Sequence, residues 1–357
     1  METVTDTRES LKNALPKMSE LNKLLAPYQK ADVRRSIWQL VNTLVPYFGL
    51  WVAIIFVMKT YSYLLAVPLI LLAALFLVRI FIFFHDCGHN SFFPSTKANR
   101  RLGFWLGVLV FTPSEQWWHS HAIHHASSGN LDKRGVGDVA TLTVDEYFEQ
   151  KFFGRVGYRL FRNPLIMFIL GPIYMFLLSH RLALPHYGKK ETQSVVWTNV
   201  ALLAIVIGMS LLIGWKEYLM IQLPIILLGG CGGIWLFYVQ HQFEDSYWER
   251  AENWDYVASA LLGASYYKLP KVLQWFSGNI GFHHVHHLSP RIPNYNLQAA
   301  HENVEPIRRF ARIVGIRDSI RTVRLKLIDE PMHRMVGFIK SRNEARAAAN
   351  ARQTSGD

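Results

Sequence analysis

The sequence predicts an all-α integral membrane protein, with four transmembrane helices in two hairpins and a helical cap on the cytoplasmic side. Three observations carry this. Of the 357 residues 50% are hydrophobic and 13% aromatic, and these concentrate in stretches 41–58, 64–84, 195–215 and 218–240, each close to the ~20 residues that a helix needs to cross a bilayer. Fewer than usual of the charges fall inside them. Of 38 Lys and Arg, only Lys59, Arg79 and Lys216 lie within 41–84 and 195–240, which by the positive-inside rule puts the N-terminal arm, the central loop and the C-terminal region in the cytoplasm.

In chain order, residues 1–40 form a polar cytoplasmic arm. Its first 36 residues contain no apolar run followed by a small-residue cleavage site, so no removable signal peptide is expected. Residues 41–303 form the membrane domain. After the first hairpin, 102–113 and 164–179 are apolar but short, and Gly171 and Pro172 interrupt the second. Both are read as interfacial or partly buried segments; if they crossed as a pair the count would be six, with the same sidedness. The second hairpin carries Gly229, Gly230, Cys231, Gly232 and Gly233. Such small residues permit close helix packing or leave room beside the helix for a ligand. Residues 304–357 form a basic tail, with Arg308, Arg309, Arg312, Arg317, Arg321 and Arg324 among apolar residues, read as a helix facing solvent or headgroups.

The formal net charge is +12. Because that charge flanks apolar spans, anionic headgroups are its natural partner, and nucleic acid is not. Cys87, on the inferred cytoplasmic side, and Cys231, inside a span, are poorly placed for a structural disulfide.

Ten of the fifteen histidines fall in three clusters: His85 and His89; His119, His121, His124 and His125; His283, His284, His286 and His287. On a helix, positions i and i+4, or i, i+3 and i+4, share a face. His85 with His89, the set His121, His124 and His125, and the set His283, His286 and His287 can each aim at one point. His119 and His284 fall outside that spacing. A lone histidine is usually a hydrogen-bonded structural residue, as read for His180, His186, His301 and His333. Eight clustered imidazoles would repel one another if protonated, and a bound metal explains them economically. His241, at the end of the fourth span and near the depth of His85, is a ninth candidate ligand; its competing reading is a helix-end histidine facing headgroups. A structural zinc site wants four ligands, often thiolates. Eight or nine nitrogens suit two ions of higher coordination number, and imidazole alone leaves zinc, copper, nickel and iron open.

The three clusters resemble the histidine boxes of the membrane fatty acid desaturase family. Longer stretches, His-Asp-Cys-Gly-His-Asn-Ser-Phe-Phe from His85, Ile-His-His-Ala-Ser-Ser-Gly-Asn-Leu-Asp-Lys-Arg-Gly from Ile123 and Gly-Asn-Ile-Gly-Phe-His-His-Val-His-His-Leu-Ser-Pro from Gly278, are similar to the Δ5 acyl-lipid branch of Bacillus-type bacteria, itself similar to the Δ12 group. The resemblance implies two irons held by His85, His89, His121, His124, His125, His241, His283, His286 and His287, four spanning helices, and an acyl chain entering between membrane and cap. In animal relatives an asparagine one turn before the counterpart of His241 reaches an iron through water; here Phe237 stands there. Asp86, Asp138, Glu244 and Asn279 are candidates to hold the outer nitrogens of ligating imidazoles; each is equally an ordinary capping or loop residue.

The reaction so implied inserts a cis double bond into a membrane lipid acyl chain, with dioxygen as co-substrate and two external electrons. No His-Pro-Gly-Gly haem motif of a fused cytochrome b5 is found in the sequence, so the expected donor is a separate acidic ferredoxin or flavodoxin docking on the basic cap, at the bacterial cytoplasmic membrane. A hydroxylase of the same family is the neighbouring alternative. A histidine-rich metal transporter would instead be expected to carry its ligands within a span.

Overall fold

A computed structural model describes residues 11–183 and 187–338; His186 and the end of the basic tail lie outside the described residues. A short helix α1, Met18–Leu25, precedes the first span. Asp32 then accepts from the amides of Arg34 and Arg35 and so caps α2, Val33–Thr60. After a two-residue turn, Ser62 caps α3, Tyr63–Gly88. The second hairpin is α8, Lys189–Ile213, and α9, Trp215–His241, joined at Gly214, whose φ of 102° a side chain would resist.

These four are the helices among the described residues that are long and apolar enough to cross a membrane. The chain is therefore a multi-span membrane protein. Half of the most apolar window of α3 is buried, against 11% of that of α8, so α3 is the central helix and α8 faces lipid. Tyr47, Trp51 and Ile54 of α2, Phe76, Leu77 and Ile80 of α3, and Ile221 and Ile225 of α9 form one core.

Between the hairpins lie α4, Thr96–Leu109, α5, Ser114–Ser127, α6, Val144–Glu149, and α7, Phe152–Phe161. At 14 residues α4 is too short to cross alone, and it packs along α3 with Trp118 wedged between them: a Cβ at either Gly88 or Gly103 would strike that ring. The other short stretch is wound as π-helix over Ile166–Leu170 and Ile173–Leu178. It is bent by 64° from α7 and would form a fifth, broken span only if the pair is taken as one. Neither of these segments forms a straight span by itself among the described residues.

The cap continues through α10, Tyr256–Leu262, α11, Lys271–Phe276, α12, His283–Leu288, α13, Asn294–Asn303, α14, Glu305–Phe310, and α15, Ile316–Thr322. Its core joins Leu21 and Leu25 of α1 to Leu261, Val285, Leu297 and Ile307. Five short strands also occur among the described residues: β1 Leu142–Thr143, β2 Ser265–Lys268, β3 Arg312–Gly315, β4 Leu327–Asp329 and β5 Arg334–Val336. They form a β1-β4-β5 sheet and a β2-β3 pair. The predominantly helical class holds, but the region after Glu305 corrects one expectation. It is not one exposed helix: β3 runs parallel to β2 and β4 parallel to β1, so much of its apolar content, including Leu327 and Ile328, is buried against the cap.

Candidate metal centre

Helix α3 is 26 residues long, about 39 Å at 1.5 Å per residue, which exceeds the ~30 Å hydrocarbon layer. Its last turn therefore emerges with His85, followed at the C-cap by His89. Helix α9 ends at His241 on the same side, α5 carries His121, His124 and His125, and α12 carries His283, His286 and His287. The fold brings all nine imidazoles together in two adjoining groups. His85, His89, His121, His125 and His286 form one; His124, His241, His283 and His287 form the other. Within each group the candidate ligand atoms lie within 4.8 Å of one another.

The second group closes a ring of nitrogens. Its Nε2 atoms are separated by 3.2 Å between His124 and His241, 2.9 Å between His241 and His283, 3.1 Å between His283 and His287, and 3.3 Å between His287 and His124. Two imidazole nitrogens adjacent on one ion, each at about 2.1 Å, would lie about 3 Å apart. In the first group His125 Nε2 is 3.1 Å from that of His121 and 3.0 Å from that of His286, and His89 Nε2 is buried without a hydrogen-bond partner. A nitrogen lone pair can accept only one such neighbour's proton, so a closed set of converging nitrogens fits a cation better than a hydrogen-bonded ring. Nitrogen donors without thiolate suit a redox-active transition metal such as iron as well as zinc or copper.

Burial pushes the imidazoles of His121, His125, His283, His286 and His287 well below the usual histidine range, and the neighbouring imidazoles push in the same direction. Neutral imidazole is the ligating form.

Some outer nitrogens are held by neighbouring groups, while Nδ1 of His125, His283 and His286 is buried without a hydrogen-bond partner. Asp138 Oδ1 lies 2.5 Å from His124 Nδ1. Asp86 Oδ1 lies 3.1 Å from His85 Nδ1, while Asp86 Oδ2 accepts from the backbone and side-chain amides of Asn294 at 2.8 and 2.9 Å. His241 Nδ1 points at the carbonyl of Gly263, 3.2 Å away, and Trp117 stacks on His121 at 4.5 Å. The other two expected supports lie elsewhere. Glu244 is 65% exposed and its carboxylate faces Arg334 at 3.5 Å, because α9 ends at His241 and the chain turns outward. Asn279 donates to the carbonyl of Asn294 at 3.3 Å and meets no imidazole directly.

Asn294, which is fully buried, was not anticipated: no local pattern distinguishes it, since its partner lies 208 positions away. Trp117 was legible in principle, standing four residues before His121 on one helix. Phe237 fills the space between His124 and His241, with ring centroids 5.1 and 5.2 Å away. His284 turns away from both groups to meet His301 at 3.0 Å, and burial lowers its pKa to about 3. His119 pairs with Glu191 at the surface, His333 with Glu249, and His180 packs on Phe176.

Comparison with known proteins gives one consistent result. Residues 61–314 match the sequence model of the fatty acid desaturase family. A Bacillus subtilis protein named fatty acid desaturase is 49% identical over 322 residues, covering 90% of this chain and 91% of that one. A Synechocystis protein named sn-1 acyl-lipid omega-3 desaturase (ferredoxin) is 28% identical over 243 residues, 64% of each chain. A Sesamum indicum protein named chloroplastic omega-3 fatty acid desaturase is 29% identical over 248 residues, 64% of this chain and 52% of that one.

Proposed function

Because this chain belongs to the fatty acid desaturase family, we propose that it holds two irons between its histidine groups and desaturates acyl chains of membrane phospholipids at the Δ5 position, using dioxygen. The observation that carries the reading is the division of nine converging imidazoles into sets of five and four. Iron in such a site supplies an oxidant strong enough to take hydrogen from an unactivated methylene, which no acid or base side chain can do. The overall balance is that –CH2–CH2– loses two hydrogens, dioxygen takes these with two further protons and two external electrons, and two waters leave.

The remaining tasks fall to the protein. His85, His89, His121, His125 and His286 would hold one ion, and His124, His241, His283 and His287 the other. Asp138 and Asp86 fix the ring orientation and basicity of His124 and His85. Burial of every one of these nine rings except His89, which is partly exposed, keeps water away from the oxidant. The acyl chain would lie between the spans and the cap, at the level where α3 and α9 deliver His85 and His241. The Δ5 position and lipid-linked substrate rest on the longer sequence stretches quoted above and on the acyl-lipid name of the Synechocystis relative. The same relative's name supports ferredoxin as the donor class, and the basic cytoplasmic regions would attract an acidic carrier. The charge distribution supports a site on the cytoplasmic side of a bacterial cytoplasmic membrane.

Expression in a host lacking desaturases, followed by gas chromatography and mass spectrometry of its lipids, tests reaction and position together. A Δ5 alkene in phospholipid chains, formed only with oxygen, is the expected product. An alcohol, or no oxygen-dependent product despite iron loading, would overturn the reading.

A further inference from the structure

Where α2 enters the membrane, a cavity of about 210 Å³ is lined by Arg35, Gln39, Asn42, Arg79 and Asn279 among other residues, and no carboxylate is among them. Arg79 is 3% exposed on the central span. Its Nε donates to the Thr43 hydroxyl at 3.0 Å, another N–H meets the carbonyl of Trp275, and its guanidinium carbon lies 3.9 Å over the Trp275 ring. Arg35 donates to Asn296 Oδ1 and to the carbonyl of Tyr295, both at 2.8 Å, and stacks on the Tyr295 ring at 4.4 Å. All of these partners are neutral. Among the described residues neither guanidinium has an ion pair.

Arg79 is a buried cation without a counter-charge, which is costly, and the exposed Arg35 adds a second positive charge at the rim of the same cavity. Amide side chains add neutral donors, and Trp38, which also lines the cavity and is 65% exposed, marks headgroup depth. The cavity also adjoins the metal centre. Gln39 donates to Asn294 at 2.9 Å, Asn294 bonds Asp86, and Asp86 bonds His85.

We propose that this cavity binds the phosphate of a membrane phospholipid headgroup, between the Arg35 and Arg79 guanidiniums, and so anchors the lipid whose acyl chain reaches the histidines. As to substrate, this rests on the acyl-lipid reading above. An anchor at the headgroup makes the protein measure the chain from its carboxyl end, since the distance from cavity to histidines is fixed by the packing of α2, α3 and α13.

The test uses full-length protein in neutral detergent and compares fluorescent phosphatidylglycerol with diacylglycerol of the same acyl chains. Wild type should bind the phospholipid at least tenfold more tightly, the size expected for a charge-assisted hydrogen bond. Arg35→Gln, at an exposed rim position, and Asn42→Asp, which adds a carboxylate to the cavity, should each bring that ratio near one while thermal unfolding stays as in wild type. A ratio near one in wild type, or an unchanged ratio in both folded variants, overturns the proposal. So does displacement of the phospholipid by an equal concentration of inorganic phosphate, which would make this a free-phosphate site. Failure of the acyl-lipid reading looks different: headgroup preference would persist while the desaturated product appeared only on acyl thioesters, removing the substrate role from the cavity.

Discussion

At the scale of single residues, each of the nine converging histidines answers to one of two groups. His124 belongs to the set of four and His286 to the set of five. Under the two-iron reading His124→Ala and His286→Ala should each lower bound iron, measured by elemental analysis, and abolish alkene formation by at least 100-fold; full iron content with normal product in either would remove that residue from the site. Asp138 acts one step further out, through His124 Nδ1. Asp138→Asn keeps the shape and removes the charge, so a 10- to 100-fold loss of metal affinity or activity is expected. An iron-binding titration separates this from a general loss of folding, because the unfolding temperature of the metal-free protein should move little.

At the scale of elements, the precision of the site depends on how α3, α4 and α5 meet. Trp118 of α5 fills the cleft that Gly88 and Gly103 leave between α3 and α4, and its Nε1 donates to the carbonyl of Phe84 at 3.2 Å. Gly103→Ala would overpack this wedge, and a cost of about 1–3 kcal/mol is expected, readable as a lowered unfolding temperature in detergent. Because Trp118 sits one turn from His121 and His85 follows Phe84 directly, the same variant should also lower iron retention. The glycine run of α9 is only partly a packing device. A Cβ at Gly229 would lie 3.1 Å from Leu77 and one at Gly230 2.7 Å from Phe176, whereas nothing lies within 4 Å of Gly233. Close packing therefore explains the first two and not the last.

For the whole molecule, stability is tied to the protonation of the imidazole groups. His121, His125, His283, His286 and His287 hold their protons less tightly folded than unfolded, chiefly through burial. Above the unfolded value of about 6.5 both states are neutral at these sites and their contribution is fully present. As pH falls below it the unfolded chain takes up protons that the folded chain refuses, and stability is lost. Metal-free protein should therefore lose stability steeply from pH 7 to about 5, while the iron-loaded form resists until its ligands protonate. Denaturation of both forms across that range checks this; identical profiles would show that these imidazoles do not share a cation.

The four spans and the matched spacing of the histidine clusters were legible in the chain itself, because membrane thickness and helical period act on neighbours in sequence. Nearness in sequence also misled. His121, His124 and His125 share one helical turn, yet the structure sends His124 to one group and its two neighbours to the other. Glu244, three residues from His241, ends on Arg334 at the surface, while Asn294, 208 positions from Asp86, holds the carboxylate that orients His85. Such choices depend on where α3, α5, α9 and α12 cross. Crossing is set by side chains packed from distant parts of the chain, which no local period records.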